Sequence, residues 1–200
     1  MINIKTIINN GLQVNTYILY EKDKAVIIDP GIDSHKVIEF LINNDLKPIM
    51  ILLTHAHYDH IEGLPNILKN YDITFKLHKN DEELYYHKDN TGINIFNKPK
   101  ITDYLNDKSI KLFTTPIEII HTPGHTQGSV CFYFYPYLIS GDTLFYGSIG
   151  RTDLPGGDFE QLIESIKNKL LILPDEVKVL PGHSESTTIE FERENNPFLQ

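Results

Sequence analysis

The chain has 200 residues, 40% of them hydrophobic, which is enough for one well-buried core and too little for two ordinary domains, so a single domain over residues 1–200 is expected. A formal net charge of -9, with Arg151 and Arg193 as the only arginines, leaves no clustered basic surface for nucleic acid. The lone Cys131 excludes an intramolecular disulfide, and the opening MINIKTIINNGLQ has neither a secretory-leader pattern nor a membrane-length apolar run, so a cytoplasmic location and no membrane partner are expected.

In chain order, the first apolar runs, Thr16–Tyr20 and Ala25–Asp29, predict strands. A helix is predicted from Ser34 as N-cap through Val37, Ile38 and Leu41. The strand Ile49–Thr54 follows, then a helix after His60 through Leu64 and Leu68, then the strand Phe75–Leu77. The stretch Tyr85–Thr115 is rich in Asn, Lys and Thr and weakly periodic, which predicts loops and short elements. Strands return at Ile117–Ile120, Val130–Tyr135 and Tyr137–Ser140. Asp158–Leu171 is the clearest helix: Phe159, Leu162, Ile163, Ile166 and Leu170 fall at helical spacing, Asp158 and Gln161 suit a capping box, and Pro174 stops the run. Val177–Leu180 is the last predicted strand. Several runs are apolar at successive positions, as expected of sheets covered on both faces, so the fold class is α/β and layered.

The segment IMILLTHAHYDHIEG begins as a buried strand and turns polar at Thr54, placing its histidines at a strand's carboxyl end, where ligand crevices form. In extended backbone, side chains two apart point the same way, so His55 and His57 can converge on one ion. Asp59 and His60 follow near a helix start and can face a second ion close to the first. Imidazole nitrogen mixed with carboxylate oxygen suits zinc, iron or manganese. His121, Asp142 and His183 each follow a later apolar run, and residues at the ends of neighbouring parallel strands share one edge of a sheet.

IDPG, THAHYDHIEG, HTPGHTQGS, SGDTLF, GRTD and PGH occur in this order from Asp29 to His183, and in this the chain resembles the metallo-β-lactamase superfamily. GRTDLPGGD and the terminal TTIEFERENNPFL resemble its short glyoxalase II-like branch. The resemblance implies a four-layer αβ/βα sandwich and two divalent transition-metal ions, zinc foremost and iron or manganese as options. By the same resemblance, His55, His57 and His121 would bind the first ion, Asp59, His60 and His183 the second, and Asp142 would bridge them. A hydroxide shared by the ions would attack a small-molecule thioester, S-lactoylglutathione or a smaller acyl thioester, with Asp59 as the catalytic residue that orients it. Two-domain glyoxalase II enzymes hold glutathione with a C-terminal helical domain, which the tail Ser184–Gln200 cannot supply. The alternatives are a persulfide dioxygenase-like enzyme with one iron, β-lactam hydrolysis, and a non-catalytic metal-binding module.

Asp29 is expected to support the ligands by accepting hydrogen bonds rather than to bind metal, and His125 to hold its own loop. His35, His78 and His87 are expected at the surface. Arg151 and Asp153 form either a loop pair or a substrate-carboxylate anchor, Phe145 and Tyr146 either line the pocket or pack beneath it, Tyr17 packs in a sheet, and Cys131 is a buried, inert thiol.

Overall fold

A computed structural model describes residues 2–88, 90, 98–105 and 109–200. The first of two six-stranded sheets runs in the order β1 (Asn3–Ile8), β2 (Asn15–Glu21), β3 (Lys24–Ile28), β4 (Lys47–Leu52), β5 (Phe75–His78) and β6 (Asp103–Leu105). The second runs β14 (Thr187–Thr188), β13 (Lys178–Pro181), β10 (Tyr137–Gly141), β9 (Val130–Phe134), β8 (Thr115–His121) and β7 (Ile110–Leu112). A hairpin of β11 (Leu144–Phe145) and β12 (Ser148–Ile149) lies beyond β10.

Strand alternation divides the apolar residues among three cores. Ala25 and Ile27 face α1 (Ser34–Asn43) and α3 (Leu64–Asn70), packing with Val37, Leu41 and Leu64. Their neighbours Val26 and Ile28 face the other sheet and meet Ile119, Phe132 and Ile139. On the far side, Cys131, Leu138 and Val179 pack on Leu162 of α5 (Phe159–Ser165), on Ile166 of the π turn Ile166–Leu170, and on Ile189 of α6 (Ile189–Asn195). Helix, sheet, sheet, helix is the four-layer αβ/βα order expected, because both faces of each sheet carry apolar side chains.

Local detail departs from expectation where a tertiary partner competes. Ser34 begins α1 but does not cap it; its buried hydroxyl accepts from Asn66 Nδ2 at 3.0 Å, and Asp33 precedes the helix. The helix expected after His60 is interrupted, giving α2 (Tyr58–Ile61) and then α3. Gly63 lies between them because any side chain there would meet Gly31 O at 2.4 Å. Asp158 caps α5 as expected, accepting from Gln161 N at 3.0 Å. Of the stretch Tyr85–Thr115, residues 89, 91–97 and 106–108 lie outside the described residues; the rest includes the end of α4 (Glu82–Tyr86), β6, β7 and the first residue of β8.

β3, β4, β5 and β6 run parallel, and β8, β10 and β13 share one direction because β9 is antiparallel to β8 and β10. Their carboxyl ends therefore form one edge of the sandwich. There the two halves are joined by Val130 N donating to Thr54 O at 2.8 Å and Asn15 N to Gly182 O at 2.7 Å. No helix among the described residues is long and apolar enough to cross a membrane.

Candidate metal centre

Asp29, just after β3, organises the first ligand loop, which lies past the end of β4. It accepts from Thr54 N at 2.8 Å and Thr54 Oγ1 at 2.6 Å, and its Oδ2 lies 3.0 Å from His60 Nδ1. The Thr54 hydroxyl is in turn 3.1 Å from His55 Nδ1, so His55 and His60 each present Nε2 inward. His183, beyond β13, donates Nδ1–H to Leu12 O at 2.9 Å and also presents Nε2. This is the support that fixes a ligand's tautomer and ring orientation.

Among the described residues, ligand-type atoms cluster in three sets: Asp29 with His55 and His60, where Asp29 is already hydrogen-bonded to Thr54 and His60, and two sets that face inward. Ligand atoms of His55, His57 and His125 lie within 4.8 Å of one another, and so do those of Asp59, His60 and His183. Asp142 stands between the groups: Oδ1 is 3.3 Å from His60 Nε2, and Oδ2 is 3.5 Å from both His125 Nε2 and His183 Nε2. Among the described residues, His55 Nε2, His60 Nε2 and Asp142 Oδ1 are buried side-chain atoms without a hydrogen-bond partner. Buried polar atoms without a partner are costly, and the convergence of these three fits a cation. The nitrogen-and-oxygen donor set suits divalent transition metals. Gly182 makes room for it, since a Cβ there would meet Asp142 Oδ1 at 2.1 Å.

The field inside the cluster separates its histidines. Burial, reinforced by neighbouring imidazoles, pushes His55 well below the usual range and His57 down to about 3. His183 resists burial and rises to about 9 because Asp142 and Asp59 face it; His60 is raised by Asp142, Asp29 and Asp59 in the same way. Asp142 is held well below the carboxylate range against burial, chiefly by His60 and His183. Metal binding would thus displace protons from His60 and His183, while His55 and His57 already favour the neutral form.

The structure brings His55, His57, Asp59, His60, Asp142 and His183 together and leaves His121 out. His121 ends β8 on the inward face of Ile117 and Ile119; its Nε2 is 2.9 Å from Gln127 O and its ring stacks on His78 with centroids 4.2 Å apart. The turn Thr122–Pro123–Gly124 then carries the chain over the sheet edge, so His125, expected only to hold its loop, occupies the position assigned to His121. His125 Nε2 lies 2.8 Å from His57 Nδ1, and its Nδ1–H donates to Arg151 O at 2.7 Å. The signal was in the first motif: β4 ends at Leu52, and its histidines come three and five residues later, past the strand rather than at its end.

Other expectations are also corrected or resolved. His78 is buried, not at the surface, and His87 lines the cleft, while His35 is exposed. Tyr17 is buried in its sheet, and its hydroxyl donates to Pro181 O at 2.6 Å, holding the strand that leads to His183. Arg151 and Asp153 form an exposed fork with both contacts at 2.7 Å. Phe145 lines the cleft, whereas Tyr146 stacks on Phe191 of α6.

Asp81 is a residue that sequence reasoning missed. Its buried carboxylate ties both loops of the first group together: Oδ2 accepts from Ala56 N and Thr126 Oγ1, each at 2.9 Å, and Oδ1 from Gly128 N at 2.6 Å. Burial pushes its carboxyl up, and these donors only partly offset that.

Over the cluster opens a cleft of about 640 Å³, with His57, Asp59, His125, Asp142 and His183 at its floor. Its walls are mostly apolar, including Leu12, Leu84, Phe145, Ile149 and Leu154. Arg151 is the one Lys or Arg among the described lining residues.

A buried His/Asp cluster at the floor of an open cleft, carried on loops beyond two facing sheets, defines a metallo-hydrolase site. The profile of the metallo-β-lactamase superfamily matches residues 9–183, and the chain belongs to that superfamily. It is similar to "Probable metallo-hydrolase YqgX" of Bacillus subtilis (strain 168), with 39% identity over 196 residues covering 94% of this chain and 93% of that one. It is also similar to hydroxyacylglutathione hydrolase GloC of Haemophilus influenzae, with 34% identity over 207 residues covering 98% of each chain. Among solved structures, the BLEG-1 B3 metallo-β-lactamase superposes with a TM-score of 0.90 at 39% identity, covering 99% of this chain and 100% of that one. TTHA1623 in a di-iron-bound form gives 0.87 at 36% identity, covering 98% and 100%.

Proposed function

We propose that the protein is a two-metal hydrolase of small acyl thioesters. The observation that carries the reading is the pair of ligand groups with Asp142 between them, more donors than one four- to six-coordinate ion can use. His55, His57 and His125 would hold one ion and Asp59, His60 and His183 the other, with Asp142 shared. Divalent ions there would supply a Lewis acid for the carbonyl oxygen and a water acidic enough to attack at neutral pH. Asp59 lies at the cleft floor with Oδ2 3.3 Å from His183 Nε2, placed to accept a hydrogen bond from the attacking water and fix its line of approach. The apolar walls receive the acyl group and exclude bulk water around it.

The similarity to GloC over nearly the whole of both chains supports a thioester as the substrate. The cleft favours a small one. Glutathione carries two carboxylates, and the only guanidinium on the wall is already forked to Asp153. A one-iron persulfide dioxygenase would need only a three-residue facial site and would leave the Asp59, His60 and His183 group unexplained. The resemblance to BLEG-1 favours a second reading, β-lactam hydrolysis on the same cluster.

The test is turnover by protein loaded separately with zinc, iron and manganese. Substrates are S-lactoylglutathione, acyl thioesters of a neutral thiol, and a chromogenic cephalosporin. Metal-dependent hydrolysis favouring the small thioesters is expected. Cephalosporin turnover without thioester turnover would replace the first reading with the second.

A further inference from the structure

The tail TTIEFERENNPF carries a buried carboxylate that the metal chemistry does not use. Glu192 of α6 is fully buried; its two oxygens both lie 3.1 Å from Gly147 N, and it also accepts from Thr187 Oγ1 at 2.7 Å and Asn196 Nδ2 at 2.7 Å. Asn196, one helical turn on, uses its other amide hydrogen on Ser148 O at 3.0 Å. On the flank, the Tyr146 and Phe191 rings stack with centroids 4.7 Å apart and planes 12° from parallel. Every residue of the turn 146–148 is therefore bound to α6 or to Asn196, which ends it.

That turn closes the hairpin β11–β12, and the hairpin is a wall of the cleft. Phe145, Ser148 and Ile149 face the cavity, and the Phe145 ring centroid is 6.1 Å from that of His183. A two-stranded hairpin is marginal by itself, so its position depends on what anchors it. Replacing a hydrogen-bonded buried carboxylate leaves its donors unpaired and frees the hairpin to move.

We propose that Glu192 is a positioning residue for substrate selection: through Gly147 and Asn196 it sets the Phe145–Ile149 wall against which an apolar acyl group packs. The identity of the group as a thioester's acyl chain rests on the function proposed above. Glu192 touches neither the metal ligands nor the reacting atoms, so it acts on which acyl group fits and not on the chemical step.

Glu192→Gln keeps the shape but sets an amide donor among donors, and Tyr146→Ala removes the ring stack without leaving a buried polar group unpaired. The first measurement is amide hydrogen exchange in the metal-loaded protein. Exchange at Gly147 and along 144–149 is expected to speed up about tenfold in Glu192→Gln and less in Tyr146→Ala, with β10 and β13 unchanged. Unaltered protection at Gly147 would overturn the anchoring. The second is the ratio of kcat/KM between a two-carbon and a six-carbon acyl thioester. It should shift about fivefold or more, through KM, at unchanged metal content. An equal loss for both acyl lengths, or a loss in kcat alone, would overturn the selective role. If the wild-type protein turns over no thioester, the proposed reaction falls, and the exchange experiment still decides whether Glu192 holds the wall.

Discussion

Asp81 offers the sharpest structural test because one buried carboxylate serves two loops that are distant in sequence. In Asp81→Ala, the amides of Ala56 and Gly128 lose their acceptor inside the protein, while Thr126 Oγ1 keeps a contact with Ser129 Oγ at 2.7 Å. Each orphaned buried amide costs about 1–3 kcal/mol, so a destabilisation of about 2–6 kcal/mol is expected. At roughly 2–4 °C per kcal/mol for a chain of this size, the metal-free protein should melt about 4–24 °C lower. Asp81→Asn keeps one carbonyl oxygen for Gly128 but turns an amide donor toward Ala56 N, one mismatch in place of two orphans, so about half that loss is expected. Ala56 lies between His55 and His57, and Thr126 and Gly128 flank His125's loop. The metal affinity of that group should therefore fall about 10–100-fold, while the group of Asp59, His60 and His183 is little affected. Thermal melting of metal-free protein and stepwise calorimetric metal titration read the two effects. Equal weakening of both binding steps, or a melt within about 1 °C of wild type for Asp81→Ala, would mean that Asp81 does not hold these loops.

Further outcomes follow from the same geometry. Asp59→Asn, with metal content restored and verified, should lose about 100-fold in kcat with a smaller change in KM, because misplacing the attacking group by about 1 Å costs that much; near-normal kinetics would leave Asp59 as a scaffold. Free metal at about 100 times its dissociation constant should raise stability by about 2.7 kcal/mol for each ion bound, about 5 kcal/mol for two, over chelated protein, a shift of roughly 10–20 °C in Tm, and an unchanged melt would argue against a native-state site. Cys131 is fully buried and its thiol is pushed up to about 11, chiefly by burial, so a thiol-specific alkylating reagent should label it only after unfolding; rapid native labelling would contradict its placement.

The central strands were legible because β2, β3, β4, β9, β10 and β13 are apolar on both faces, which no surface element tolerates. β1 was not: NIKTII lies at a sheet edge with most of its residues exposed or half-exposed, so its pattern carries little burial signal. Ser34 reads as a cap locally and is diverted by Asn66, a partner 32 positions away that no local rule contains. At the site, the closely spaced His55, His57, Asp59 and His60 announce convergence by spacing alone. The exchange of His121 for His125 turned on where β8 stops relative to the sheet edge, which depends on the Pro-Gly turn and on His121 stacking against His78. Asp81 and Glu192 were silent because an isolated acidic residue reads as surface, and only the fold shows backbone amides closing around it.

The most direct test of the account is metal stoichiometry by elemental analysis after loading with excess metal and removal of the free ion. Wild-type protein and His121→Ala should each retain two ions per chain, His125→Ala should retain about one, and Asp142→Ala should lose both most readily, since its two oxygens lie close to histidines of both groups. Two ions retained by His125→Ala with one lost from His121→Ala, or a single ion in the wild-type protein, would contradict it.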